Sequence, residues 1–369
     1  MHVLIAPDKF AGTLSAVEAA HAIAEGWAAQ APDDELHLAP MADGGPGFVS
    51  VLHESLGGDL VAATVRGPLG APTPVTILRH EGTAYVESAQ ACGLHLVPEG
   101  ERDPERSSTY GVGEAIAAAA DSGADRVVVG LGGSASNDGG AGLLAALGAD
   151  ADVPLDAGVS GLAGIGRFEL EAARKRLDGV DLVMASDVDN VLLGMFGATK
   201  TFGPQKGVAE ADIPTLDALL DAFVVAACGP TPPERRVADA PGAGAAGGLG
   251  FGLLLLGAQR QSGIELVAEA AGIPALARRC DVVVTGEGAY DFSSRGGKVV
   301  YGVAQIAAEA LRPCVVVAGQ VLVGSREMRA MGVESAYAMV DVVGEEASFA
   351  DPAGSLGSLS RRVARTWSR

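Results

Sequence analysis
Positive charge is what this 369-residue chain has least of: 26 lysines and arginines stand against 46 acidic residues, for a net charge of -20. That balance argues against nucleic acid and anionic membrane as partners, and any anion site must be built from local cations and backbone amides. Cysteine is sparse too. Cys92, Cys228, Cys280 and Cys314 show no CxxC spacing, so a zinc ribbon or redox dithiol is excluded and buried thiols in a reducing cytoplasm are expected. No apolar run is long enough for a bilayer: the longest, residues 247–258, is short and broken by glycine. The opening MHVLIAPDKF has neither the basic nor the long apolar region of a secretory leader. Six histidines without metal-ligand spacing, no GxSxG elbow and no GxxxxGK[ST] loop exclude familiar hydrolase and P-loop chemistries. One GxGxxG match, GAGAAG at 242–247, follows a proline rather than a strand. It reads as close packing or ligand-facing amides, not as a dinucleotide fingerprint.

Within this arginine-biased chain there are only five lysines. Lys9, Lys200, Lys206 and Lys298 lie in glycine-punctuated loops, and Lys175 alone lies in an ordinary charged run. A compact ammonium on a flexible stem suits a moving phosphoryl group. Neighbouring glycines bare the backbone so that its amides can approach phosphate oxygens. Phosphoryl handling is the chemistry this placement points to.

The length implies about two α/β domains. Short apolar strands are expected at 3–6 and 36–39 and again at 281–285, 314–318 and 336–340, separated by helical patterns at 16–29, 302–311, 326–331 and 356–367. Ser15 with Glu18 three residues on is a capping-box start for the first helix. Such strands belong to a parallel sheet covered on both faces. The middle differs in texture, with β-rich alternation at 75–79 and 85–88, a helix at 113–122, strands at 126–130 and 182–185, a long loop through 207 and a helix at 213–228. We read one domain from 1–66 and 280–369, carrying both termini, and a second α/β domain, 67–279, inserted into it. Residues 230–241 and 344–354 read as flexible surface loops.

Candidate chemistry lies in the loops. Gly132, Gly133 and Ser134 offer amides and a hydroxyl, and Asn137 and Asp138 could orient a substrate hydroxyl or hold a metal-bound water; Asp138 could equally be a helix cap. In Asp187-Val-Asp189-Asn190 two carboxylates at i, i+2 point the same way from an extended segment, which suits a base plus a metal ligand. Loops with Asp8 and Lys9, with Asp43 and with Glu287 and Asp291 all leave the carboxyl edge of the expected outer sheet, where open α/β sheets bind ligands; each of these acids could equally cap a helix or make a turn. Gly244 and Gly247 are candidate amide donors.

These blocks together resemble a family. APDKFAGTLSA, PMADGG, GLGGSASNDGGAGLLAALG, DVDN, FGPQKG, GAGAAGGLG and VVTGEGAYDFSSRGGK, in that order, are similar to the signature blocks of bacterial type-1 glycerate kinases. The resemblance implies a flavodoxin-like domain with an insert likened to a restriction-endonuclease core. It also implies ATP-dependent phosphorylation of D-glycerate, on the 2-hydroxyl, with Mg²⁺. On that reading Asp189 takes the hydroxyl proton, Asp187 holds the metal or supports the base, and Lys9, Lys206 and Lys298 neutralise phosphate and substrate carboxylate. The alternative is a non-catalytic small-anion or nucleotide sensor on the same scaffold. Pro46, Phe48 and the Ser293-Ser294 pair depart from the family blocks and bear on substrate choice; Ser136 replaces a threonine and keeps the hydroxyl.

Overall fold
The short apolar runs from the two ends of the chain meet in one sheet. In a computed structural model describing residues 1–10, 12–292 and 298–368, the strands His2–Ile5, Glu35–Leu38, Val282–Tyr290, Cys314–Val321 and Ser335–Ala338 pair in parallel throughout. Counted within this unit the order across the sheet is 2-1-3-4-5, the order of flavodoxin-like sheets. Its central strands are valine-rich and buried on both faces. That is why they read as continuous apolar runs rather than as alternating ones.

The first helix, Ala16–Gln30, starts where the capping box places it: the Ser15 hydroxyl accepts from the Glu18 amide and the Glu18 carboxylate accepts from the Ser15 amide. Its partner is Pro352–Trp367. The two approach so closely that a Cβ at Gly26 would overlap the Gly357 carbonyl oxygen, and only glycine permits that spacing.

The second unit carries a six-stranded mixed sheet. Gln259–Gln261, Asp181–Ala185, Arg126–Gly130 and Thr83–Glu87 run parallel, and Pro72–His80 and Asp59–Arg66 continue the sheet antiparallel. Phe168, Phe223 and Phe251 stack edge to face in its core.

The chain divides into 1–43, 50–57 and 263–369 on one side and 44–49 and 58–262 on the other, so the boundaries differ from 66/67 and 279/280. The strand Asp59–Arg66 belongs with Pro72–His80, its hairpin partner. Helices Gly263–Ala270 and Ile273–Arg279 pack with Val299–Glu309 in the first unit. Bare Gly302 leaves room there for Ile264.

Local readings change in five places. The long loop expected through 207 contains a helix, Ala198–Lys206, which tolerates Pro204. The strand at 281–285 extends to Tyr290, so the GEG motif is strand rather than loop. The strand at 336–340 ends at Ala338 and gives way to a helix, Val340–Val343. The expected loops 344–354 and 230–241 contain a helix, Glu345–Ala350, and a 3₁₀ turn, Glu234–Val237. No described helix is long and apolar enough to cross a membrane.

Candidate active site
In a 2-1-3-4-5 sheet the topological switch lies between the first and third strands, where ligands bind outside the carboxyl ends. Here those strands are His2–Ile5 and Val282–Tyr290, and that position collects the charge. Asp8 and Lys9 leave the first strand. The Asp8 amide donates to the Gly286 carbonyl, and the Asp8 carboxylate accepts from the Lys9 amide at 2.7 Å. Gly286 is bare because a Cβ would strike the Val317 carbonyl of the neighbouring strand. The Lys9 Nζ stands 3.6 Å from Asp8 and 3.8 Å from Asp43. The Lys298 Nζ stands 3.8 Å from Glu287 and 3.9 Å from Asp291. Four carboxyls and two ammoniums thus share one edge of this unit.

Asp8 is the perturbed member. Burial pushes its carboxyl from 3.8 to about 7, with the Asp43 and Glu287 charges adding to the rise and the Lys9 ammonium opposing it. A carboxyl poised near neutrality in a charged cleft is a functional-site signature. Reading the sequence counted Asp8 among the strand-end acids, as a possible metal carboxylate or a turn-maker, without singling it out. The missing signal was depth, since nothing in PDK marks the aspartate as the buried residue and the lysine as the more exposed one.

The second unit uses its polar residues differently. Lys206 is 2% exposed; its ammonium donates to the Ser134 hydroxyl at 2.9 Å and the Ser136 carbonyl at 2.5 Å. Burial lowers its pKa to about 8. A phosphate ligand is therefore not what this ammonium reaches: it ties the 132–138 loop to the Ala198–Lys206 helix. Asp138 is fully buried and accepts from the Thr109 amide and hydroxyl and from the Gly140 and Gly142 amides. The N-cap of the helix Ala141–Ala146 is Gly140, and Asp138 braces that turn through the Gly140 and Gly142 amides. Burial raises its pKa, against those donors. Asn137 donates to the Thr199 hydroxyl, and Asn190 to the Phe196 carbonyl and the Thr201 hydroxyl.

The glycines expected to cradle phosphate are closely packed. Gly132 and Gly133 lie against Gly45 and Pro46, with a Cβ at Gly133 only 2.9 Å from the proline ring. The Gly244 amide is spent on the Asn190 carbonyl, and a Cβ at Gly247 would overlap the Ser136 carbonyl. Glu87, overlooked in the sequence, is buried and accepts from the Val49 amide, so it holds the 44–49 loop. Cys92 and Cys314 are thiols pushed up to about 12 by burial, hence inert.

Asp187 and Asp189 follow the strand Asp181–Ala185, but each has its own anchor. Asp187 accepts from the Ser262 hydroxyl at 2.6 Å, while Asp189, 80% exposed, pairs with Arg260 at 2.7 Å. Ser293, Ser294 and the Gly296-Gly297 pair before Lys298 lie outside the described residues. Among the described residues the three-ligand His/Cys/Asp/Glu group that could hold a metal is His2, Glu35 and His37, at the amino edge of the first sheet.

Comparison with known proteins bears on this arrangement. A sequence profile described as the glycerate kinase family matches residues 3–368. The glycerate kinase of Bacillus subtilis is 38% identical over 92% of this chain and 90% of its own length. The glycerate 2-kinase of Escherichia coli is 37% identical over 99% and 98%. A crystal structure assigned to glycerate kinase 2 from Salmonella typhimurium LT2 superposes with a TM-score of 0.80 at 34% identity, covering 99% of this chain and 98% of that one. With the profile spanning nearly every residue and full-length relatives this similar, the chain belongs to the glycerate kinase family of enzymes.

Proposed function
We propose that the protein transfers the γ-phosphoryl group of ATP to D-glycerate, at the 2-hydroxyl, with Mg²⁺, in the cytoplasm. One observation carries the reading: two of the chain's five lysines stand among four carboxyls at the switch point of a flavodoxin-order sheet. Phosphoryl transfer asks for positioning and charge neutralisation rather than covalent chemistry. Lys9 and Lys298 neutralise the phosphate oxygens as charge moves onto the leaving group. Mg²⁺ binds through one or two carboxylates plus substrate phosphates, and the donor set fits, since carboxyls outnumber ammoniums there. Glu287 and Asp291 would hold it, and the ion would supply further charge neutralisation on the phosphates.

The acceptor hydroxyl loses its proton to Asp8, whose carboxyl titrates near the working pH, where a general base is most effective. Lys206, Asn137 and Asp138 act as positioning residues that shape the 132–142 loop. A second assignment places the base at Asp189 and the metal at Asp187. It is favoured by the solvent-facing Asp189 carboxylate, held in place by Arg260 at the end of a parallel strand.

Mass spectrometry of pure protein with D-glycerate and ATP, with and without Mg²⁺, tests the reaction, and chromatography against both phosphoglycerate isomers tests the position. ATP binding without phosphate transfer to any of a panel of short hydroxy acids would overturn the proposal in favour of a sensor.

A further inference from the structure
A cavity of about 230 Å³ lies in the first unit, at the same carboxyl edge as the charged cluster. Its walls come from successive strand ends: Phe10 one residue after Lys9, Gly288 and Ala289 just after Glu287, Gly319 and Gln320 on the next strand, and Met339 beyond Ala338. Phe349, 62% exposed, stands at its rim on the Glu345–Ala350 helix. Among the described residues, none lining it is charged.

We infer that this cavity receives the adenine ring of the nucleotide; the inference rests on the ATP-dependent reading above. Glycerate and a triphosphate are anions and need cations, which these walls lack. Among the proposed substrates, the purine is the flat group that is both uncharged and largely apolar. The volume is below the usual range for a whole drug-sized ligand, so it suits one ring system with the rest of the molecule outside. The strands forming one wall are bare and tightly apposed: a Cβ at Gly319 would overlap the Gly288 carbonyl oxygen, leaving a flat backbone surface. Phe10 and Phe349 supply aromatic faces of the kind on which bases stack. The Gln320 amide carries a donor and an acceptor, the pair that an adenine edge complements. Because Phe10 and Gly288 are chain neighbours of Lys9 and Glu287, a base seated here directs its phosphates toward Lys9 and Lys298.

Calorimetric binding of Mg·ATP and of inorganic triphosphate to the full chain tests this. Wild-type protein should bind ATP at least tenfold more tightly than triphosphate. Ala289→Trp, at an exposed strand position, should fill the cavity and remove that margin while leaving triphosphate affinity within twofold. Phe349→Ala, at a solvent-facing ring that the core does not need, should weaken ATP several-fold with triphosphate unchanged, and it covers the case of an Ala289→Trp protein that does not fold. ATP bound no better than triphosphate, or either folded variant keeping wild-type ATP affinity, would overturn the adenine assignment and leave the kinase reading standing. Failure of the wild type to bind ATP at all would sink the kinase reading first and the inference with it.

Discussion

Replacing Asp8 by asparagine should cost activity and add stability, by an amount the structure sets. Burial carries this carboxyl from 3.8 to about 7. The folded state therefore binds a proton that the unfolded state has already released between those two values. Its contribution to stability is fully present below 3.8 and is lost as pH rises through about 7. At about 1.36 kcal/mol per pH unit, the full loss is about 4 kcal/mol, of which roughly 2–3 kcal/mol falls between pH 5 and pH 8. Asparagine keeps the shape, and its amide oxygen can still accept from the Lys9 amide, but it carries no charge to desolvate. Urea unfolding of wild type and Asp8→Asn across pH 5 to 8 should show the variant gaining stability relative to wild type as pH rises, with the gap flat above about pH 8. Groups remote from the cluster titrate alike in both proteins and cancel in the difference, while Lys9, Asp43 and Glu287, which feel the Asp8 charge, shift with it. The same substitution should lower turnover at least a hundredfold, about 2.7 kcal/mol of barrier. It should also abolish an acidic limb in kcat/KM that wild type shows near pH 7. A pH-independent gap would refute the perturbed carboxyl, and wild-type turnover in the variant would refute its role as base.

Four further substitutions test the rest of the site. Lys298→Ala should cut turnover on the order of a hundredfold yet change unfolding free energy by less than about 0.5 kcal/mol, because its two ion pairs are long and partly exposed; equal losses in both would make the lysine structural. Asp189→Asn should cost less than about tenfold in kcat if Asp8 is the base, whereas a hundredfold loss, with a raised Mg²⁺ requirement in Asp187→Asn, would move the chemistry to that pair. Gly247→Ala should destabilise by about 2–4 kcal/mol in denaturant titrations, since Gly247 has φ +72° and its Cβ would displace the Ser136 carbonyl and crowd the Lys206 ammonium; an unchanged midpoint would show that the loop yields.

What the sequence determined by itself was whatever depends on neighbours along the chain. The capping box at Ser15 and Glu18 is local chemistry, and it starts the helix as expected. Valine runs such as DVVVT and CVVVA announce parallel strands because a strand buried on both faces needs no alternation. Family membership, too, follows from ordered blocks of residues. The candidate cluster was half legible: Asp8, Lys9, Asp43, Glu287 and Asp291 could be assigned to strand ends, and Lys298 to a glycine-punctuated loop, before any fold was known. Their order across the sheet, which brings residue 8 beside residue 287, is a property of pairing between distant strands.

Tertiary structure alone decided which charged groups are buried. Lys206 and Lys298 look alike in sequence, each following glycine-containing loop text. One is enclosed by the 132–138 loop and spends its ammonium there; the other stays partly in solvent between two carboxylates. Asp138 and Asp8 likewise read as similar loop aspartates. Four internal donors make the first a brace within its turn, while burial among like charges leaves the second with a pKa near 7. Both carboxyls are desolvated by the packing of segments distant in the chain, and it is the supply of internal donors that separates the two environments.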